Sequence, residues 1–131
     1  MKFDIVVIGG GLVGASLLTA LKDSGLKLAL IESRAPAPLP ADDSWDGRVY
    51  AISPGSIAFL QACGVWQRMD ARRITAVHEM RVYGDDHAAN INFSAYESGV
   101  PELACIIENR QLQHAVWETL AEADNVQLFC P

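Results

Sequence analysis

The stretch Phe3-Asp4-Ile5-Val6-Val7-Ile8-Gly9-Gly10-Gly11-Leu12-Val13-Gly14, followed after a helical run by Leu28-Ala29-Leu30-Ile31-Glu32, decides the fold. An apolar run of strand length enters a glycine cluster that fits G-x-G-x-x-G at Gly9, Gly11 and Gly14. The first glycine permits a tight turn, the second lets the backbone approach a pyrophosphate, and the third lets the helix pack close to the strand. The helix expected over residues 12–24 turns its first N–H groups, those of Leu12 and Val13 among them, and the positive end of its dipole toward that loop. A phosphate is the natural occupant there. A second strand over residues 27–31 delivers Glu32 at its carboxyl end, where a carboxylate accepts hydrogen bonds from both hydroxyls of an adenosine ribose and repels a ribose 2′-phosphate. The unit therefore reads as a dinucleotide-binding βαβ that favours FAD or NAD over NADP, with the basic Arg34 nearby weakening the exclusion. A bare glycine-rich turn is the alternative, and the strand before, the helix after and the acid beyond all argue against it.

The chain has 131 residues, half of them hydrophobic, which suits one domain with a real core. A dinucleotide-binding enzyme needs more chain than this to finish its sheet and build a substrate site. The net charge of −6 argues against nucleic acid or a polybasic membrane contact as the main partner. Cys63, Cys105 and Cys130 are odd in number and widely spaced in apolar surroundings, the pattern of reduced, mostly buried thiols, and neither a metal site nor a disulfide framework is expected. The N-terminus carries no apolar run long enough for a signal peptide or a membrane span, so a cytoplasmic location is the expectation.

After Glu32 a loop rich in proline and alanine is expected over residues 33–46, leading into Asp46-Gly47-Arg48. Ser53 as N-cap and Pro54 at the first position open a helix that stops at Gly64, and residues 65–69 add a helical turn. Residues 77–83 and 90–94 alternate around a turn at Gly84-Asp85-Asp86, predicting an antiparallel hairpin laid against the α/β layer. Residues 103–107 form another apolar run, Asn109 is placed to cap a helix over residues 110–123, and residues 126–129 return to strand.

No nucleophile–base pair is visible, so no catalytic residue is assigned. His78, His87 and His114 sit far apart, without metal-ligand spacing, and read as surface or strand histidines. A site of this kind suits a cofactor that performs the chemistry itself while the protein orients it. Arg48, in a loop beside the phosphate-binding turn, has a planar fork suited to a pyrophosphate, with a solvated loop arginine as the plain alternative. Arg110 either reaches the cofactor or forms a salt bridge with Glu108 or Glu118. Trp45, Trp66 and Trp117 read as core or interface residues.

The succession DIVVIGGGLVGASLLTAL (4–21), IES (31–33), DGRVYAISPGSIAFLQACGVW (46–66), the hairpin, and IIENRQLQHAVWETL (106–120) resembles the N-terminal part of the FAD-dependent aromatic hydroxylases of ubiquinone biosynthesis. These are relatives of the para-hydroxybenzoate-hydroxylase-like flavin monooxygenases. The resemblance implies an α/β fold: a Rossmann-like FAD-binding βαβ unit with an antiparallel hairpin insertion, incomplete at its C-terminus, residues 1–131 being the N-terminal part of an FAD/NAD(P)-binding domain. It implies FAD as bound cofactor, NAD(P)H as electron donor, O₂ as co-substrate, and hydroxylation of a polyprenylated phenol. Other ubiquinone-biosynthesis proteins are the implied partners, with at most peripheral membrane contact. Carried over residue by residue, Gly9, Gly11 and Gly14, with the N–H groups of Leu12 and Val13, match the pyrophosphate loop. Glu32 matches the ribose-binding acid, Arg48 the arginine on the FAD phosphates, and Arg110 the helix-start position near the cofactor. Later family segments that hold FAD and NAD(P)H have no counterpart here, so the chain alone is expected to be inactive and to hold FAD weakly. An NAD-dependent dehydrogenase, another FAD oxidoreductase and a non-catalytic nucleotide-binding module are the competing readings.

Overall fold

The computed structural model describes residues 2–86 and 88–131. Along the chain run β1 (Ile5–Ile8), α1 (Leu12–Leu21), β2 (Leu28–Ile31), β3 (Val49–Ile52), α2 (Pro54–Ala62), β4 (Thr75–Val77), β5 (Glu79–Tyr83), β6 (Asn90–Ser94), α3 (Ala95–Ser98), β7 (Ala104–Glu108), α4 (Asn109–Ala121) and β8 (Val126–Phe129). Single turns of 3-10 helix lie at Trp66–Arg68 and Ala71–Arg73. The strands form a parallel sheet in the order β1-β2-β8, an antiparallel sheet in the order β3-β7-β4, and the two-stranded ribbon β5-β6.

In the parallel sheet Ile5 lies opposite Leu28 and Leu28 opposite Val126. The central strand β2 is covered on both faces, which is why Leu28, Ala29 and Leu30 are all apolar and all buried. Helices α1 and α4 pack together on this sheet, placing Ala15 and Leu18 against Leu112, Ala115, Val116 and Leu120. The same core continues to Ile57 and Leu60 of α2, to Val65 and Met69 beyond it, and to Cys105 and Ile107 of β7. One apolar core therefore joins the parallel sheet to the antiparallel one. Helix α2 starts as its sequence dictates: Ser53 Oγ accepts the Ser56 N–H, Pro54 fills the first turn, and Gly64 follows with φ +78°.

The structure departs from three expectations and adds one strand. The single strand expected over residues 77–83 is two: β4 pairs with β7 and β5 with β6, so the chain changes sheets at His78. There the His78 carbonyl accepts the Ala95 N–H, and its Nδ1 lies 3.1 Å from the Pro101 carbonyl. The hairpin is not covered by the α/β layer. Met80, Val82, Ile91 and Phe93 share one face of the ribbon and all four are exposed. Val49-Tyr50-Ala51-Ile52, which carried no strand expectation, pairs with β7 across the sequence, Val49 opposite Glu108. Asn109 does not cap α4. Glu108 occupies the N-cap position without capping, and the carboxylate of Asp46 accepts the Arg110 N–H at 3.2 Å instead, so the cap is supplied by a distant loop. His78 and His114 are not gathered around any common centre, and His87 lies outside the described residues.

Candidate functional site

The glycine loop joins β1 to α1. Gly9 has φ +100°, a conformation that side chains rarely adopt, and its N–H closes the parallel ladder on Ile31 O at 2.9 Å. A Cβ on Gly14 would run into the Gly9 carbonyl oxygen, so the close approach of helix to turn needs a glycine there. A Cβ on Gly11 would meet nothing within 4 Å, because that residue faces open space. The first-turn N–H groups of α1 have no intrahelical partners, as at any helix start, and no side chain caps them. A bare helix start facing open space fits an anion of phosphate size.

Gly10, which falls outside the glycine pattern, is the most constrained residue of the loop. Its N–H donates to Glu32 Oε2 at 2.6 Å, and its carbonyl accepts the indole N–H of Trp117 at 2.7 Å in a buried bond. A Cβ on Gly10 would strike the Trp117 ring. Trp117 thus belongs to the core, as its sequence context suggests, and also props the loop from α4. That role had no signal in the sequence, because the partner is a backbone carbonyl far away along the chain.

Glu32 is ionised. Besides Gly10, its other oxygen accepts the Ser33 N–H at 2.6 Å, the Ser33 hydroxyl at 2.8 Å and the Arg34 N–H at 3.2 Å. These bonds, that from Gly10 foremost, bring its pKa down from 4.5 to about 2. A depressed folded-state pKa means that the stabilisation is complete above about pH 4.5 and disappears as pH falls toward 2. Glu32→Gln should therefore lower the Tm at pH 7 and reduce the loss of Tm between these two pH values. Thermal unfolding of both proteins across that range measures it, and parallel curves would exclude the assignment.

A cavity of about 470 Å³ opens in front of the loop. Gly9, Gly11, Leu12, Val13 and Gly14 form one wall. Arg48 and Tyr50 at β3, with Asn109 and Gln113 of α4, form the other. The Arg48 guanidinium lies over the Tyr50 ring at 5.6 Å and takes no part in the ion pairs that occupy Arg73 and Arg110. Arg110 stands elsewhere. Its Nε bonds Glu108 Oε2 at 3.0 Å, its guanidinium also reaches the Ser44 carbonyl, and it lines a separate cavity of about 420 Å³ beside Asp42 and Asp43. Asn109, expected only as a helix cap, and Gln113 are wall residues that the sequence did not mark as part of the site. Their spacing of four on one helix was the available signal.

Residues 2–129 match the family described as FAD binding domain. The chain belongs to that family. Among curated relatives, the FAD-binding domain is 34% identical to 3-demethoxyubiquinol 3-hydroxylase of Escherichia coli K12, over 98% of this chain and 32% of that protein. It is also 34% identical to the mitochondrial ubiquinone biosynthesis monooxygenase COQ6 of Drosophila melanogaster, over 97% of this chain and 28% of that one. The domain thus spans about a third of these relatives' length. A solved structure of a P. aeruginosa PqsL variant superposes with TM-score 0.72 at 22% identity, covering 98% of this chain and 33% of that one, which shows a shared fold. FAD suits the residues present: an open position at Gly11, bare N–H groups at α1, an ionised acid at the end of β2, and a guanidinium across the cavity.

Proposed function

We propose that the FAD-binding domain is the N-terminal part of a flavin-dependent hydroxylase that acts on the ring of a polyprenylated phenol in ubiquinone biosynthesis. The observation that carries the reading is the cavity walled by the glycine loop on one side and by Arg48 on the other. The relatives named above supply the substrate class, and the antiparallel sheet and ribbon inserted between β2 and β8 weigh against a plain dehydrogenase. When bound, the flavin supplies electron transfer from NAD(P)H to O₂ and oxygen transfer to the ring.

The residues of this chain hold the ADP part of the cofactor. The N–H groups of Gly11, Leu12, Val13 and Gly14 receive the pyrophosphate at the positive end of α1, with Gly9 setting the turn. Arg48 adds its charge from the opposite wall. Glu32 turns its remaining acceptor positions to the adenosine ribose. Arg110 serves the site from behind, through the loop that carries Arg48. Among the described residues no helix is long and apolar enough to cross a membrane, and no group of metal-ligating side chains is present. The proposed setting is the cytoplasm, where the protein would meet a lipid-soluble substrate, and other enzymes of that route, at the membrane surface.

The test is the visible absorption spectrum, with cofactor extraction, of protein purified from the complete reading frame. A flavin spectrum, FAD released on denaturation, and NAD(P)H oxidation stimulated by a prenylated phenol are expected. A colourless protein that binds NAD would overturn the proposal.

A further inference from the structure

Residues 44–48, which carry Arg48 to the cavity, are fastened to the start of α4 by a buried carboxylate. The Glu108 side chain is 1% exposed. Its Oε1 accepts Arg73 Nε at 2.6 Å, and its Oε2 accepts Arg110 Nε at 3.0 Å and the Asp46 N–H at 2.6 Å. Arg73 and Arg110 both extend to the Ser44 carbonyl, and Arg73 stacks on Trp45 at 4.1 Å. The Asp46 carboxylate accepts the N–H groups of Arg48 at 3.0 Å and Arg110 at 3.2 Å. The Arg48 carbonyl accepts the Asn109 N–H at 2.8 Å. Glu108 is also the residue opposite Val49 where the β3–β7 ladder ends, so the clasp begins where strand pairing stops.

Burying a carboxylate between two guanidinium groups is costly unless every partner is in place, and a surface loop can be tethered without it. What the arrangement supplies is position. We propose that Glu108 is a positioning residue for the dinucleotide phosphates: by clasping residues 44–48 against α4, it fixes Arg48 across the cavity from Gly11. The inference rests on the flavin reading above. It makes Glu108 and Arg48 one functional unit although their side chains do not touch.

The complete protein tests this through the FAD affinity of apoprotein carrying Arg48→Ala, Glu108→Gln, or both. Losing a charge-assisted phosphate contact should weaken FAD about tenfold or more. Glu108→Gln should cause a similar loss and raise the KM for FAD with little change in kcat at saturation. The double variant should bind FAD no more weakly than Arg48→Ala alone. Asp46→Ala, which spares both ion pairs of Glu108, should repeat the loss and the same coupling, and it carries the test if Glu108→Gln does not fold. Multiplying losses in either double variant, or unchanged FAD affinity in Arg48→Ala, would overturn the clasp while leaving the flavin reading intact. Absence of FAD from the unsubstituted protein would end both.

Discussion

Gly14→Ala is expected to weaken FAD binding by roughly 100-fold or more and to destabilise the fold by about 1–3 kcal/mol. The added methyl group has no free volume, because the Gly9 carbonyl oxygen already occupies its place and Val7 lies alongside. Relief requires α1 to move away from the turn, and that movement displaces the N–H groups of the first helical turn together. Two hydrogen bonds to a charged phosphate, each contributing about 1.5–3 kcal/mol, account for the loss of affinity. FAD titration and thermal unfolding of the complete protein measure the two effects. Gly11→Ala is the informative control, since its methyl group meets no protein atom. It should leave the Tm of the apoprotein nearly unchanged while reducing FAD affinity. Equal stability losses in both variants would refute the separate roles of these glycines.

Trp117 is the second position of large effect. Truncation to alanine should cost about 3–5 kcal/mol, the usual range for a buried aromatic. The sharper experiment is Trp117→Phe, which keeps most of the packing but leaves the Gly10 carbonyl without its buried partner. An orphaned buried acceptor costs about 1–3 kcal/mol, and the Tm should fall by several degrees. FAD affinity should fall as well, because the Gly10 peptide lies between the turn at Gly9 and the helix start. A phenylalanine variant with unchanged stability would mean that solvent replaces the indole at that carbonyl.

The β1–α1–β2 unit was legible because each of its features is local: strand, glycine spacing, helix and acid lie within one short stretch. Ser53 and Pro54 announced α2 for the same reason. The antiparallel sheet was not legible, since β3 is four residues long and its partner β7 lies far along the chain, so no periodicity reports the pairing. Within residues 77–83 the alternation changes phase, since His78 and Glu79 are both polar and separate Val77 from Met80 and Val82, and the sheet change at His78 follows from which partner each half finds. The sequence placed Arg48 in a loop beside the glycine turn, and it lines the same cavity as that turn. Tyr50, Asn109 and Gln113 join it only because β3 and α4 meet across the cavity. The sequence allowed Arg110 to be either a cofactor contact or a salt-bridge partner of Glu108 or Glu118, and its guanidinium is paired with Glu108.

The double anchoring of Gly10 has a bearing on how ligand binding proceeds. Any residue that a ligand must order on binding subtracts from the affinity gained by contact, and glycine has the most backbone freedom to lose. Here the peptide is fixed at both ends by groups from β2 and α4 before any ligand arrives. Under the proposed function, the turn that would receive the phosphates is preorganised, so recognition of the dinucleotide should approach lock-and-key behaviour, with little entropy to surrender there.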